Sequence, residues 1–333
     1  MKKFKSSVFC YMKLIRIVPG FSLKSLGAIL LLPYLLTFLL GNFCQQETMT
    51  VWAPNLEKQL TQNRFRVINQ TKLGKEVIPL EVYVADKLTR SINTDFELET
   101  LKAQAVLIRT NLFASSQGST DILVKDENYG SQHIPEKAWQ AAAQTAGVYA
   151  TLGGQAINTP YFAVSNGATR NGSELLSGNT DYLQSVLCSR DFLSEDYTSS
   201  ISYEMSEFNK IWQTINGCSM TAEELQDKEK YTKLEAVNLE EKFILYRDSV
   251  GYVLFVENLG KVVTGEQFRE AYALLSGSFH LEADKKSVLI TVKGSGHGFG
   301  MSQYGANEQA KQEKDYIEII ETFFKDILIT KNE

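Results

Sequence analysis

Leu26 to Phe43 (LGAILLLPYLLTFLLGNF) is the one long uncharged apolar run in this chain of 333 residues. As a helix at ~1.5 Å per residue it reaches ~27 Å, enough to cross a bilayer core. Ahead of it stand Lys2, Lys3, Lys5, Lys13, Arg16 and Lys24, and the first acid is Glu47. The positive-inside rule keeps such a head in the cytoplasm and sends the remainder outside. Pro33 is tolerated in a membrane helix. A cleaved signal peptide is the competing reading, but no A-x-A site follows the run, the segment ahead of it is long, and Asn42 and Phe43 are poor residues before a lipoprotein-type Cys44. The expectation is a cytoplasmic basic head at 1–25, an uncleaved single-pass anchor at 26–43, and an extracytoplasmic body at the cell membrane.

Charge supports that division. With 34 Lys+Arg against 39 Asp+Glu the chain is −5, and removing the +6 head leaves a body of −11. An acidic body argues against a nucleic-acid partner, which requires clustered cations. A hydrophobic content of 44% with 22% charged residues excludes disorder throughout, and a single apolar run excludes a polytopic membrane protein. The four cysteines, Cys10, Cys44, Cys188 and Cys218, are too few for a disulfide scaffold. Cys188 and Cys218 are candidates for one bridge in an oxidising space, which spacing alone does not decide. No Cys/His spacing points to a metal, and none of His133, His280 and His297 has a ligand pattern around it.

The body shows no repeat and no linker. Residues 44–75 read as a stalk ending in a first strand at Arg64–Asn69, and 76–328 as one elaborated domain. Phe96–Ser115 is the clearest helix, with Leu98, Leu101, Ala105, Ile108 and Leu112 at helical spacing. Ala138–Ala146 is a short second helix, and the residues around Gly153-Gly154 form a hairpin. Tyr161–Ser165 is a strand, 205–240 is polar and mostly helical, and Phe243–Val256 breaks at Asp248–Gly251 as a hairpin. Ser287–Val292 is a strand, followed by helices at Gln303–Gln312 and Tyr316–Lys325. Helices and strands without regular βαβ alternation predict an α+β fold of mixed helices and β-hairpins.

Three stretches carry potential chemistry. In Gly294-Ser-Gly-His-Gly-Phe-Gly-Met-Ser-Gln-Tyr-Gly-Ala, four glycines within seven residues surround His297, followed by Ser302, Gln303 and Tyr304. Glycines on both sides of a histidine cost chain entropy, so function outweighs a bare strand-to-helix connection. On the long helix, Lys102 and Arg109 lie two turns apart and share a face with Gln104 nearby; spacing alone reads as a solvated face. Ser165-Asn-Gly-Ala-Thr169 is by itself an ordinary polar turn.

Taken together, several strings resemble the stage II sporulation protein D and amidase-enhancer family of spore-forming bacteria. They are Ile78-Pro-Leu-Glu81-x-Tyr83-Val84, Phe96-x-x-Glu99-x-Leu-Lys102-Ala-Gln104-Ala-Val-x-x-Arg109-Thr110, Gly153-Gly-Gln-x-Ile, Tyr161-Phe162-x-x-Ser165-x-Gly167-x-Thr169, Tyr182-Leu183-x-Ser185-Val186 and Gly296-His-Gly-x-Gly300-Met-Ser-Gln-Tyr-Gly-Ala306. The resemblance implies a membrane-anchored lytic transglycosylase, without cofactor, acting on peptidoglycan glycan strands stripped of stem peptides by a partner amidase, in concert with other proteins of forespore engulfment. It also implies Lys102, Gln104, Arg109, Ser165, Thr169, His297, Ser302, Gln303 and Tyr304 as substrate-binding residues. Such cleavage needs one carboxylic acid, which protonates the glycosidic oxygen and then helps the sugar's 6-hydroxyl attack C1.

The family's catalytic glutamate lies eleven residues before the helix lysine, and counting back from Lys102 reaches Ser91. A serine hydroxyl is no proton donor near neutral pH, and losing a general acid costs ~10²–10⁴ in rate. Ser131-Gln132 stands where some members carry a zinc-binding cysteine, and Asp86 replaces a usual glycine. Three readings stay open: a non-catalytic glycan-binding scaffold or amidase enhancer, an enzyme using Glu81, Asp95 or Glu99 as the acid, or residual activity.

Overall fold

The computed structural model describes residues 64–72, 74–218, 233–238 and 242–332. The basic head, the apolar run at 26–43 and the stalk to residue 63 lie outside the described residues, and the anchor expectation lies there with them. Among the described residues no helix is long and apolar enough to cross a membrane. They form a mixed α+β fold with seven α-helices and several small sheets, as the interspersed pattern predicts.

Strand β1 (Arg66–Thr71) pairs antiparallel with β2 (Gly74–Pro79) and parallel with β3 (Asp121–Val124). The first strand is thus part of the domain's own sheet. At Pro79 the chain turns directly into helix α1 (Leu80–Ser91); proline lacks the N–H that a helix start leaves unpaired. Helix α2 (Leu98–Ser116) is the centre of the molecule. Its predicted stripe, Leu101, Ala105, Ile108 and Leu112, packs with α1, β1 and α3 (Glu136–Gln144) in one core. Ala103, Val106 and Leu107 on the opposite side enter a second core with Ile319, Ile320 and Phe323 of α7 (Tyr316–Phe323). A helix apolar on both sides is a buried helix, which explains why Gln104 and Arg109 are inside as well.

Strands β4 (Val148–Leu152) and β5 (Gln155–Ala156) make the expected hairpin, turning on Gly153 and Gly154 at φ 58° and 80°. A two-residue turn of this hand needs positive φ at both positions. Strand β15 (Leu328–Lys331) pairs antiparallel with β4, and just beyond it Asn332 accepts a hydrogen bond from the Arg64 guanidinium at 3.0 Å.

A second lobe holds two sheets. One has the order β11 (Lys261–Thr264), β10 (Val253–Asn258), β9 (Lys242–Arg247), β8 (Lys233–Asn238), and the other the order β12 (Phe279–Ala283), β13 (Ser287–Lys293), β7 (Thr198–Glu204). They pack with α4 (Met205–Thr214) and α5 (Gly265–Ala271) around Phe208, Phe243, Phe268 and Phe279. The hairpin of β9 (Lys242–Arg247) and β10 (Val253–Asn258) turns where predicted. The expectation of mostly helix over 205–240 is corrected: Lys233–Asn238 is strand β8, paired antiparallel with β9 along its length. Strand formation there is decided by a neighbouring strand, which local polar composition does not reveal.

Candidate functional site

Strand β6 (Tyr161–Phe162) runs parallel to β14 (Met301–Ser302), with Met301 opposite Tyr161 and Ser302 opposite Phe162. Val164 and Ser295 form a further bridge. The glycine loop therefore lies flat along the 160–165 segment. Such an approach tolerates no side chain at Gly296, where a Cβ would come within 2.5 Å of Phe162 Cβ. His297 is fixed at the loop's centre. Its Nδ1 accepts the Phe299 N–H at 3.1 Å, so a neutral ring carries its proton on Nε2, and the Tyr161 backbone lies beside the imidazole. Burial holds the imidazole below the usual histidine range, and its ring lies 5.6 Å from that of Phe162.

Ser91 is the last residue of α1. Its hydroxyl donates to the Lys87 carbonyl at 2.5 Å, and its own carbonyl accepts Gln303 Nε2 at 2.7 Å. Gln303, the first residue of α6 (Gln303–Ala310), also donates to Gln104 Oε1 at 3.1 Å. The Tyr161 hydroxyl lies near Ser91, and burial pushes this phenol above its usual range, so it stays protonated at neutral pH. Tyr304 meets Phe96 edge to face, with ring centroids 6.5 Å apart. The structure thus brings together Ser91, Gln104, Tyr161, His297, Gln303 and Tyr304 from α1, α2, β6, the glycine loop and α6.

Other expected binding residues are placed elsewhere. Arg109 has no exposed side-chain surface; it donates to both Glu81 oxygens and to the Val148 carbonyl at 2.8 Å, and Glu81 also accepts the Gly147 N–H at 3.0 Å. Both therefore tie α1 and α2 to the start of β4 in the interior. Arg109 and Glu81 are thus inside the fold and engaged with each other, and not on the solvated face that helical spacing suggests for Arg109. Thr169 is buried, its hydroxyl accepting the Val186 N–H at 2.9 Å. Ser165 and Ser302 are buried and converge on Asp191: the Ser165 N–H donates to Oδ2 at 2.7 Å and the Ser302 hydroxyl at 2.6 Å, while Ser302 also caps α6 by accepting the Gly305 N–H at 3.1 Å. These three shape the site from behind.

Glu99 accepts Lys102 Nζ at 2.6 Å and the Tyr316 N–H at 3.1 Å, so both its oxygens are engaged. Lys102 itself is at the half-buried rim of α2. Asp95 is exposed on the connector between α1 and α2. Cys188 is a buried free thiol, pushed up to about 12 chiefly by burial, and is not bridged to Cys218. Among the described residues no cluster of His, Cys, Asp or Glu could hold a metal ion. Sequence reasoning did not find Tyr161 or Asp191 as site residues; Tyr161 stood in a quoted string, whereas Asp191 carries no local signal.

With this geometry in place, the class of protein follows from comparison. A family model described as Stage II sporulation protein matches residues 68–152, from β1 through β4. The stage II sporulation protein D of Bacillus subtilis (strain 168) is 27% identical over 290 residues, covering 80% of this chain and 78% of that protein. That of Bacillus amyloliquefaciens is 28% identical over 278 residues, covering 77% and 75%. The amidase enhancer of Bacillus subtilis (strain 168) is 22% identical over 270 residues, 71% of this chain but 38% of its own length. The chain is a divergent relative of these proteins.

Proposed function

We propose that this chain serves a cell-wall role in sporulation, as a membrane-anchored protein that holds denuded peptidoglycan glycan strands without cutting them. One observation carries the choice of holding over cutting. On the resemblance to the family the acid's position falls on Ser91, whose hydroxyl is bonded to the helix backbone, and the groups around this serine are a tyrosine, a glutamine and a carbonyl. None of these donates a proton to a glycosidic oxygen near neutral pH. Glu81 and Glu99 are engaged with cations.

The groups that remain suit a sugar. Tyr161, Gln303 and Tyr304 offer neutral donors and acceptors, and the Phe96–Tyr304 pair offers aromatic faces for sugar stacking. Neutral recognition also suits an acidic body, because a denuded strand has lost its peptide charges. A cell-wall amidase that strips the strands is the natural companion on this reading.

The test is digestion and retention of denuded glycan strands with the full-length protein. Retention without 1,6-anhydro products is expected, with retention lost in His297→Ala and product appearing in Ser91→Glu. Anhydro product from the unaltered chain would overturn the non-catalytic reading, and loss of that product in Asp95→Asn would assign the acid to Asp95.

A further inference from the structure

Beneath the histidine loop lies a buried cation with no place in the site described above. Arg170 follows the 165–169 turn and is 5% exposed. Its backbone N–H donates to the Gly298 carbonyl at 2.8 Å, and its Nη1 donates to the His297 carbonyl at 3.4 Å. The guanidinium lies between two rings, 4.6 Å from the Phe299 centroid and 4.9 Å from that of Tyr252. On its far side Nε donates to Asp248 Oδ2 at 2.6 Å, and Asp248 is oriented by the Tyr252 N–H at 2.8 Å. The loop is shaped to this stack: a Cβ on Gly298 would come within 2.7 Å of Tyr252 and 2.8 Å of Arg170.

We propose that Arg170 is a positioning residue for His297: anchored by Asp248 of the second lobe, it clamps the 297–298 backbone between Tyr252 and Phe299 and so sets the orientation of the imidazole. Backbone clamping of this kind acts on the ring through the loop that carries it. With the carbonyls of 297 and 298 held, Phe299 N–H is delivered to Nδ1 and the imidazole is kept beside the Tyr161 backbone. Arg170 Nη2 is buried and makes no hydrogen bond. An ion pair retained with an unsatisfied donor is a costly way merely to fill space. The charged groups acting on the imidazole are Arg170, with Asp248 behind it, and Glu266 and Arg269 of α5, which pair with each other.

The inference deepens the glycan reading, but its test does not depend on it. The chain has three histidines, so imidazole nitrogen resonances of the full-length protein are few, and His297→Gln assigns the one in question. In the unaltered chain His297 is expected as the single Nε2–H tautomer, titrating below the ordinary histidine range. In Arg170→Gln that signature should average between tautomers and the His297 midpoint should rise. Lysine keeps the charge but cannot span both Asp248 and the His297 carbonyl, so Arg170→Lys should restore the midpoint only in part. Where Arg170→Gln does not fold, Arg170→Lys and the charge-neutral pair Arg170→Gln with Asp248→Asn decide. A His297 tautomer and midpoint identical to the unaltered chain in a folded variant overturns the proposal. Retention of denuded strands should fall about tenfold with the displaced ring, the equivalent of one hydrogen bond. A displaced ring with unchanged retention counts against the glycan reading alone.

Discussion

The Ser302 hydroxyl donates to Asp191 Oδ2 at 2.6 Å, and the same oxygen accepts the Ser165 N–H at 2.7 Å. One buried carboxylate thereby joins the polar turn at 165–169 to the N-cap of α6. Asp191 Oδ1 has no hydrogen-bond partner, so a proton is accommodated there without breaking either bond.

That arrangement has a pH signature. Burial raises the Asp191 carboxyl above its ordinary value, outweighing the hydrogen bonds from Ser302 and Ser165 that lower it. The folded chain then binds the proton more tightly than the unfolded one. Stability contributed at Asp191 falls as pH rises from the ordinary carboxylate value of about 4 through the raised folded value. In thermal melts across that interval, the unaltered chain should gain on Asp191→Asn as pH is lowered. A difference that does not vary with pH refutes this.

Removing one partner of the Glu81–Arg109 pair leaves a buried charge alone. Arg109→Met is expected to cost about 3–5 kcal/mol in denaturant unfolding. Replacing both by apolar residues of similar volume should recover most of that loss, which a ligand-contacting role for Arg109 does not predict.

Gly298 sits at φ 85° with no room for a Cβ. Gly298→Ala should lower unfolding free energy by about 1–3 kcal/mol. The loss should be accompanied by displacement of the His297 resonance, because the strain falls on the loop that holds it.

The Cys188 thiol is 6% exposed and raised to about 12. Alkylation with iodoacetamide at pH 8, read by peptide mass spectrometry, should leave Cys188 unmodified in the native chain and modify it fully in denaturant, because the thiolate is the nucleophile. Rapid native modification would show that the 188–191 segment opens.

The sequence was most legible where its own period carries the information. Helix α2 was visible because Leu101, Ala105, Ile108 and Leu112 recur at helical spacing and meet one core. That its other side meets a second core through Ala103, Val106 and Leu107 was not visible, and so Arg109 looked like a surface cation. The alternating glycines around His297 announced a close backbone approach, and the loop does lie on Phe162. Asp191 and Arg170 left no trace, because their partners Ser302 and Asp248 are 111 and 78 residues away in the chain. Strand β8 was hidden for the same reason, its pairing being the whole cause of its form.

The contact between Arg64 and Asn332 has a topological consequence. The two ends of the described fold are one side chain's reach apart, so a few added residues would splice them into a ring. The ring could then be cut at the exposed Gly153-Gly154 tip, where a break severs only a two-residue turn. Such a circularly permuted chain keeps every element in place while giving the polypeptide a different order of synthesis, and should reach the same architecture by another route.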